Sequence, residues 1–293
     1  MSYENTFESA CLVVVTIKNW NAFKKIPKEK LSQLVKNKKL SERVRGTKEL
    51  VDRKKLADIN SVINKTRNTV KAYSLPFPIP TVFLVPKQKI EKLAEEINEF
   101  KEALNDAVDD FAEDYDKYIT EAEETLGEEL FNENDFPKNI KERFQIEVRF
   151  IEMTVPGKLK KFSPEVYKEE ERKYKEMMEQ ARKEAVLFLR EGFAEILNKM
   201  IETLTGNDGE PKKIRSDAVQ RIDKFFDEFL SKNIFKDDEL QNMIKQAKEV
   251  MMGVNAKDLK NSEKLRQYVT KNIEKVQEEL DKSITTYKRS LLI

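Results

Sequence analysis

The side chains of this sequence with the clearest capacity for chemistry are carboxylates near one predicted strand. In residues 146–150, IEVRF, Glu147 stands two positions before Arg149, and Asp116 and Asp135 lie upstream. Carboxylates in such an arrangement can hold Mg²⁺ and activate a water molecule, as metal-dependent nucleases do. That site needs a lysine where Arg149 stands, and a structural strand with solvated polar side chains explains the same pattern. A metal-dependent nuclease is therefore kept only as a remote alternative.

Most other catalytic chemistry is excluded by composition. The 293 residues include no histidine and a single cysteine, Cys11. Zinc sites, Cys-His nucleophiles and Ser-His-Asp triads all require residues that this chain lacks. The 7 glycines are too scattered for a phosphate-binding or dinucleotide-binding loop. We predict a protein that is not an enzyme, with no catalytic residues, no metal and no cofactor.

The single cysteine and the hydropathy of the chain predict a location. One cysteine cannot form a disulfide within the chain, which fits a reducing compartment. The amino-terminal residues lack the basic region of a signal peptide, and no stretch is apolar enough to cross a membrane. We therefore predict a cytoplasmic protein without membrane contact, in the host cytoplasm if it is viral. Cys11 begins the apolar run CLVVV and is expected to point into a core.

The net charge of +1 conceals two opposed blocks. Residues 18–71 contain seventeen Lys/Arg and five Asp/Glu, whereas residues 87–135 contain eighteen Asp/Glu and five lysines. The blocks could pack side by side and neutralise each other, or face apart so that copies dock head to tail as a homo-oligomer. The basic block could instead bind the phosphates of nucleic acid. The sequence leaves all three interpretations open, and the last two are compatible.

The third interpretation assigns roles to particular side chains. The aromatic residues at the ends of the basic block could stack on bases, and these are Trp20, Phe23, Tyr73 and Phe77. The predicted phosphate partners are Lys24, Lys25, Lys38, Lys39, Arg43, Arg45, Arg53, Lys54, Lys55, Arg67 and Lys71.

Helices and two strands must position these residues. Residues 11–18 are β-branched and alternating and predict a strand, whose neighbour we expect to be a second strand at 143–153. Helices are predicted at 28–39 and 47–73. Four prolines make residues 74–86 an extended segment that packs its apolar side chains over a core.

The longest predicted helix, 88–126, carries a heptad pattern typical of a coiled coil. Its apolar seam is Ile90, Leu93, Ile97, Phe100, Leu104, Ala107 and Phe111. Further helices are predicted at 164–204, after a Ser163-Pro164 cap, and at 213–232, 237–252 and 262–290.

The predicted fold is mostly α (α+β), with long antiparallel helices and a small two- or three-stranded β element. We expect residues 1–160 to form an α+β region and residues 161–293 a helical region.

The order of these features resembles that of an uncharacterised family, domain of unknown function 3150. The resemblance covers residues 11–255 and rests on LVVVTIKNW, GTKELVDRKKL, TRNTVKAYSLPF and the join from the long helix through LFNENDFP to IKERFQIEVRFIEMTVP. Members are carried by bacteriophages, plasmids and other mobile elements, often near genes for MoxR-type AAA+ ATPases. Many relatives have an aromatic residue and a DDG-like turn where this chain reads LPFPIP, and no catalytic residues are established for them.

The resemblance and the charge pattern together suggest two functions. The leading hypothesis is a non-enzymatic, oligomeric mobile-element protein that binds nucleic acid as an accessory factor in recombination or replication. The alternative is a protein-binding adaptor or substrate of a MoxR-type AAA+ ATPase, docked through the acidic helix.

Overall fold

The computed structural model describes residues 9–35, 43–206 and 218–291 of the chain. The predicted fold class is confirmed: the chain is mostly helical, with a small four-stranded sheet and a two-stranded ribbon. The four strands exceed the predicted two or three because the proline-rich segment contributes two of them. Within the described residues, no helix has the length and hydropathy needed to cross a membrane.

The elements are numbered in chain order. The strands are β1 (Ala10–Lys18), β2 (Phe23–Lys25), β3 (Thr47–Glu49), β4 (Leu75–Pro76), β5 (Val82–Pro86) and β6 (Gln145–Ile151). The helices are α1 (Lys28–Leu34), α2 (Ala57–Tyr73), α3 (Ile90–Glu113), α4 (Tyr115–Leu130), α5 (Leu159–Phe162), α6 (Pro164–Thr205), α7 (Ala218–Lys232), α8 (Asp238–Met251), α9 (Ala256–Asn261) and α10 (Glu263–Leu291).

The described chain divides into two compact units that interleave along the sequence. Unit 1 takes its described residues from Met1–Val13, Ser74–Ile90 and Phe150–Ile293, and unit 2 from Val14–Tyr73 and Glu91–Arg149. The expected division of the sequence near residue 160 stays a prediction.

The four-stranded sheet has the order β4-β5-β1-β6, so the predicted strands at 11–18 and 143–153 are neighbours as expected. Leu12 and Val13 point to opposite faces of β1 and are both fully buried, which shows that the sheet is covered on both faces there. Cys11 is half-buried on the same strand, and burial raises the pKa of its thiol. A raised pKa leaves little thiolate at neutral pH, so this cysteine is not activated.

The structure corrects the first part of the helix predicted at 47–73. Residues 47–56 were expected to be helical, but Thr47–Glu49 is strand β3, paired antiparallel with β2. A short 3₁₀ turn, Arg53–Leu56, follows, and the Asp52 side chain caps it by accepting from the backbone N–H of Lys54 at 2.9 Å. Leu50 donates its backbone N–H to the carbonyl of Ala22, which prolongs the ribbon instead of starting a helix. Of the helix predicted at 28–39, α1 is described and residues 36–39 lie outside the described part.

The predicted long helix 88–126 is two helices, α3 and α4, separated at Asp114. The apolar seam is confirmed for α3, where Leu93, Ile97, Leu104 and Phe111 are buried. The break carries buried Tyr115 into an aromatic cluster with Phe111, 5.8 Å between ring centroids. The coiled coil and its oligomer stay predictions.

Gly127 interrupts α4 with a backbone conformation that favours glycine. Its φ is 61° and its ψ is 179°, and an added Cβ would meet no atom within 4 Å. We expect Gly127→Ala to lower the free energy of unfolding by about 1–3 kcal/mol through backbone strain alone. Chemical denaturation would measure this, with Gly157→Ala as control, because Gly157 has equally open space and no positive φ. Equal stabilities of the two variants would contradict the expectation.

Unit 1 is built around α6, which begins at Pro164 after Ser163 as predicted and ends before Gly206, whose φ is 68°. Its apolar stripe packs with α10, which in turn packs with α8. The structure adds α9, which the sequence did not predict, and describes the helix predicted at 213–232 from Ala218 onward.

Candidate nucleic-acid interface

The basic block lies in unit 2, on the β2–β3 ribbon, the 3₁₀ turn and α2. All of the predicted phosphate partners that the structure describes are exposed, and these are Lys24, Lys25, Arg43, Arg45, Arg53, Lys54, Lys55, Arg67 and Lys71. Lys38 and Lys39 lie outside the described residues.

The ribbon divides its lysines between two faces. Lys24 is directly opposite Lys48 in the register, so their side chains share one face of the ribbon. Both reach Asp135: the Lys48 ammonium lies 2.6 Å and the Lys24 ammonium 3.7 Å from its carboxylate oxygens. Lys25 belongs to the other face and is exposed. Lys24 is therefore partly neutralised, whereas Lys25 is not.

The 3₁₀ turn contributes three consecutive cations in different surroundings. Arg53 donates to Glu49 at 3.1 Å, and its guanidinium lies 4.6 Å from the ring centroid of Phe23. The Lys55 ammonium lies 4.8 Å from the Tyr118 ring centroid. Lys54 forms no ion pair with any residue that the structure describes, so it is the cation of this turn most available to a phosphate.

Helix α2 presents a short cationic stripe. Arg67 and Lys71 are four residues apart and share one exposed face of the helix. Arg67 donates to the amide oxygen of Asn64 at 3.3 Å, which leaves its charge uncompensated. We give the name basic surface to six of the predicted phosphate partners, which are exposed and have neither an acidic partner nor an aromatic ring against the charge among the described residues: Lys25, Arg43, Arg45, Lys54, Arg67 and Lys71.

Among the described residues, direct ion pairing of the basic block with the acidic block is confined to one acid. In the part of the chain that the structure describes, the ion pairs between residues 18–71 and 91–135 all involve Asp135. Other acids pair within their own block or just beyond it: Asp109 contacts Lys141, and Asp114 contacts Lys117. The hydrogen bond from Lys117 is the main reason that the pKa of Asp114 is lowered, with a smaller contribution from Lys55. Unit 2 is almost neutral, with 24 Lys/Arg and 25 Asp/Glu, yet its charges stay largely separated.

The four aromatic residues proposed to stack on bases differ in availability. Phe77 is buried in unit 1, as expected for core packing, so it cannot stack. Tyr73 donates its hydroxyl to Glu96 at 2.6 Å, and burial together with this bond raises its pKa. Phe23 is 37% exposed beneath Arg53. Trp20 is half-buried and lines a cavity together with Lys18 and Arg143, which form no ion pair with any described residue, so it is the best placed of the four.

Two of the three carboxylates of the nuclease alternative are engaged in ion pairs. Asp135 binds Lys48 and Lys24, and Glu147 accepts two hydrogen bonds from Arg149, at 2.8 and 2.5 Å. Among the described residues, no group of three or more acidic or cysteine side chains is arranged to hold a metal ion.

Lys48 is the residue that sequence reasoning missed. It belongs to the basic block by composition, but its side chain is 6% exposed and also donates to the carbonyl oxygen of Leu130. The burial of Lys48 follows the period of two that is typical of a strand: Lys48 and Leu50 are buried, whereas Thr47 and Glu49 are exposed. That period across residues 47–50 was the signal that could have found it.

Comparison with known proteins adds one match. Residues 7–251 match the family described as protein of unknown function (DUF3150). No curated protein and no solved structure matches the chain.

Proposed function

We propose, from the premise that this chain belongs to the DUF3150 family of proteins of unknown function, that it is a non-enzymatic nucleic-acid-binding protein. Its basic surface would contact the phosphate backbone. In this proposal the protein acts as an oligomeric accessory factor in the DNA metabolism of mobile elements such as bacteriophages, in recombination or replication.

The observation that carries the proposal is the separation of charge in unit 2. The six cations of the basic surface are exposed and have no acidic partner among the described residues, although the unit as a whole has one acid more than its cations. An exposed cation that binds a phosphate releases counterions, and this release favours binding. A cation already paired with a carboxylate would first have to break that ion pair. The exposed positions on the ribbon, the turn and α2 are thus free to follow a backbone.

Charge removal from the basic surface tests the proposal. We expect the combined Lys25→Gln, Arg43→Gln, Arg45→Gln and Lys54→Gln variant to weaken nucleic-acid binding and to flatten its salt dependence. Each lost phosphate contact reduces the slope of log affinity against log salt by about one. Fluorescence anisotropy of labelled oligonucleotides between about 50 and 200 mM salt would measure both quantities.

The matched control removes four exposed cations from α6, each paired with a glutamate of its own helix. These are Arg172, Lys173, Lys175 and Lys199. The control variant should keep the parent slope. Equal salt-dependence slopes for the parent and the basic-surface variant would overturn the proposal. Equal losses of affinity in the basic-surface and control variants would overturn it too, because binding would then depend on total charge and not on the basic surface.

A second candidate function follows from the acidic side of α3. One face of this helix carries exposed acids spaced three or four residues apart, without ion pairs among the described residues: Glu95, Glu99, Glu102, Asp106, Asp110 and Glu113. Such a face suits a basic partner surface, either a MoxR-type AAA+ ATPase or the basic surface of another copy. The adaptor function predicts co-purification with the ATPase and no salt-sensitive affinity for DNA.

A further inference from the structure

A cavity of about 670 Å³ in unit 2 lies outside the basic surface. It is lined by the end of β1 and the residues after it, Ile17, Lys18, Asn19 and Trp20, and by Glu142 and Arg143. Its volume falls in the range of small-molecule sites. The lining combines an indole ring, an amide and two cations, which is the chemistry that recognises a nucleotide.

Among the described residues of unit 2, two buried side-chain polar atoms have no hydrogen-bond partner, and one of them belongs to a residue that lines this cavity. The amide oxygen of Asn19 has no donor among the described residues, although its nitrogen donates to Asn60 at 3.2 Å. The hydroxyl of Tyr115 is the other, and the Tyr115 ring packs edge-on against Trp20 at 6.0 Å. Unpaired buried polar groups are few in proteins. The unpaired amide oxygen of Asn19 therefore indicates a place at this cavity where a further polar group belongs.

The charges of the cavity favour an anion. Lys18 and Arg143 are exposed and form no ion pair with any described residue. The single acid of the lining, Glu142, already accepts a hydrogen bond from Asn139 at 2.6 Å. Burial raises the pKa of Tyr115 to about 12, so its hydroxyl stays protonated and adds no negative charge.

The indole of Trp20 packs against two aromatic rings that are not part of the cavity lining. Phe111 lies 6.3 Å from it between ring centroids, and Tyr115 supports it at a near-perpendicular angle of 79°. A ring fixed in this way stacks on a base without losing much side-chain freedom.

We infer that this cavity binds one unpaired base of single-stranded nucleic acid, stacked on Trp20, with Lys18 and Arg143 contacting the adjoining phosphates. The inference rests on the proposed function and names its substrate class as single strands. Bases of a duplex are stacked and paired within the helix, so they cannot enter the cavity without being extruded.

Trp20 is the single tryptophan of the chain, so fluorescence excited at a wavelength that its 8 tyrosines do not absorb reports on this cavity alone. We expect a single-stranded oligothymidine to quench that fluorescence with the midpoint found by anisotropy, and a duplex of equal length to leave it unchanged. Lys18→Gln and Arg143→Gln should each weaken single-strand binding severalfold, whereas exposed Lys138→Gln is the matched control. Trp20→Leu should weaken it by roughly 5- to 150-fold, the equivalent of losing one base–aromatic stack.

The outcomes separate the two proposals. Salt-dependent binding without quenching, with Lys18→Gln and Arg143→Gln binding like Lys138→Gln, would overturn the base pocket and leave the basic surface standing. No binding of either strand form would overturn both. Because Trp20→Leu could disturb the aromatic cluster, the two cation variants and the fluorescence of the parent decide the matter if that variant does not fold.

Discussion

Arg190→Ala is expected to lower the free energy of unfolding of unit 1 by about 3–5 kcal/mol. The Arg190 and Asp237 side chains are each only 7% exposed, and Arg190 donates to both carboxylate oxygens of Asp237, at 2.8 and 2.9 Å. It also donates to Glu239 at 2.8 Å. Without the guanidinium, a buried carboxylate at the start of α8 would lose its counter-charge.

The charge on Arg190 is secured by its surroundings. Burial by itself lowers the pKa of the guanidinium, but the hydrogen bonds and charges of Asp237 and Glu239 more than reverse this and hold the pKa above its ordinary value. The guanidinium also lies 5.1 Å from the Tyr287 ring centroid on α10. One side chain of α6 thus ties together three helices of unit 1.

Chemical denaturation compares this variant with Lys199→Ala on the same helix. Lys199 pairs with Glu195, but both side chains are more than two-thirds exposed, at 69% and 67%. Removing such a surface pair should change the free energy of unfolding by less than about 0.5 kcal/mol. If the two variants were equally stable, the buried ion pair would not hold α8 against α6.

Lys48→Met is expected to destabilise unit 2 by about 3 kcal/mol, because it removes a buried cation from Asp135 and a donor from the Leu130 carbonyl. This loss of stability should lie at the low end of the range for breaking a buried ion pair, since the Lys24 ammonium stays 3.7 Å from the same carboxylate. Thermal or chemical unfolding of the variant would measure it.

The control for this prediction is Lys25→Met on the same ribbon, where the side chain is exposed and the expected change is below about 0.5 kcal/mol. A second variant, Lys48→Met with Asp135→Leu, should recover part of the loss because it removes both charges together. A single Lys48→Met variant as stable as Lys25→Met would contradict the structural role. The two lysines should also differ in their role in the proposed function, since only Lys25 belongs to the basic surface.

Local periodicity was sufficient to predict much of the fold. The alternation of β1 and the three-and-four spacing of α6 are properties of a few consecutive residues, and each element formed where its pattern lies. Local periodicity did not predict the structure of residues 47–56, because Leu50 donates its backbone N–H to the carbonyl of Ala22. No pattern of residues near position 50 contains that contact. The split of the long helix at Asp114 was missed because both halves keep one apolar stripe.

The candidate site shows the same division. Its cations were identified by counting charged residues along the sequence. That count could not distinguish buried Lys48 from exposed Lys25, and it did not indicate that Arg143 lies beside Trp20.

By itself the sequence determined which chemical groups this protein has: no histidine, a single thiol, and two blocks of opposite charge. Only the tertiary structure decided which charges meet. Lys48 is buried because Leu130 and Asp135, more than eighty residues further along the chain, fold over it. Burial and ion pairing depend on distance in space, and distant segments of a chain approach one another only when the core packs.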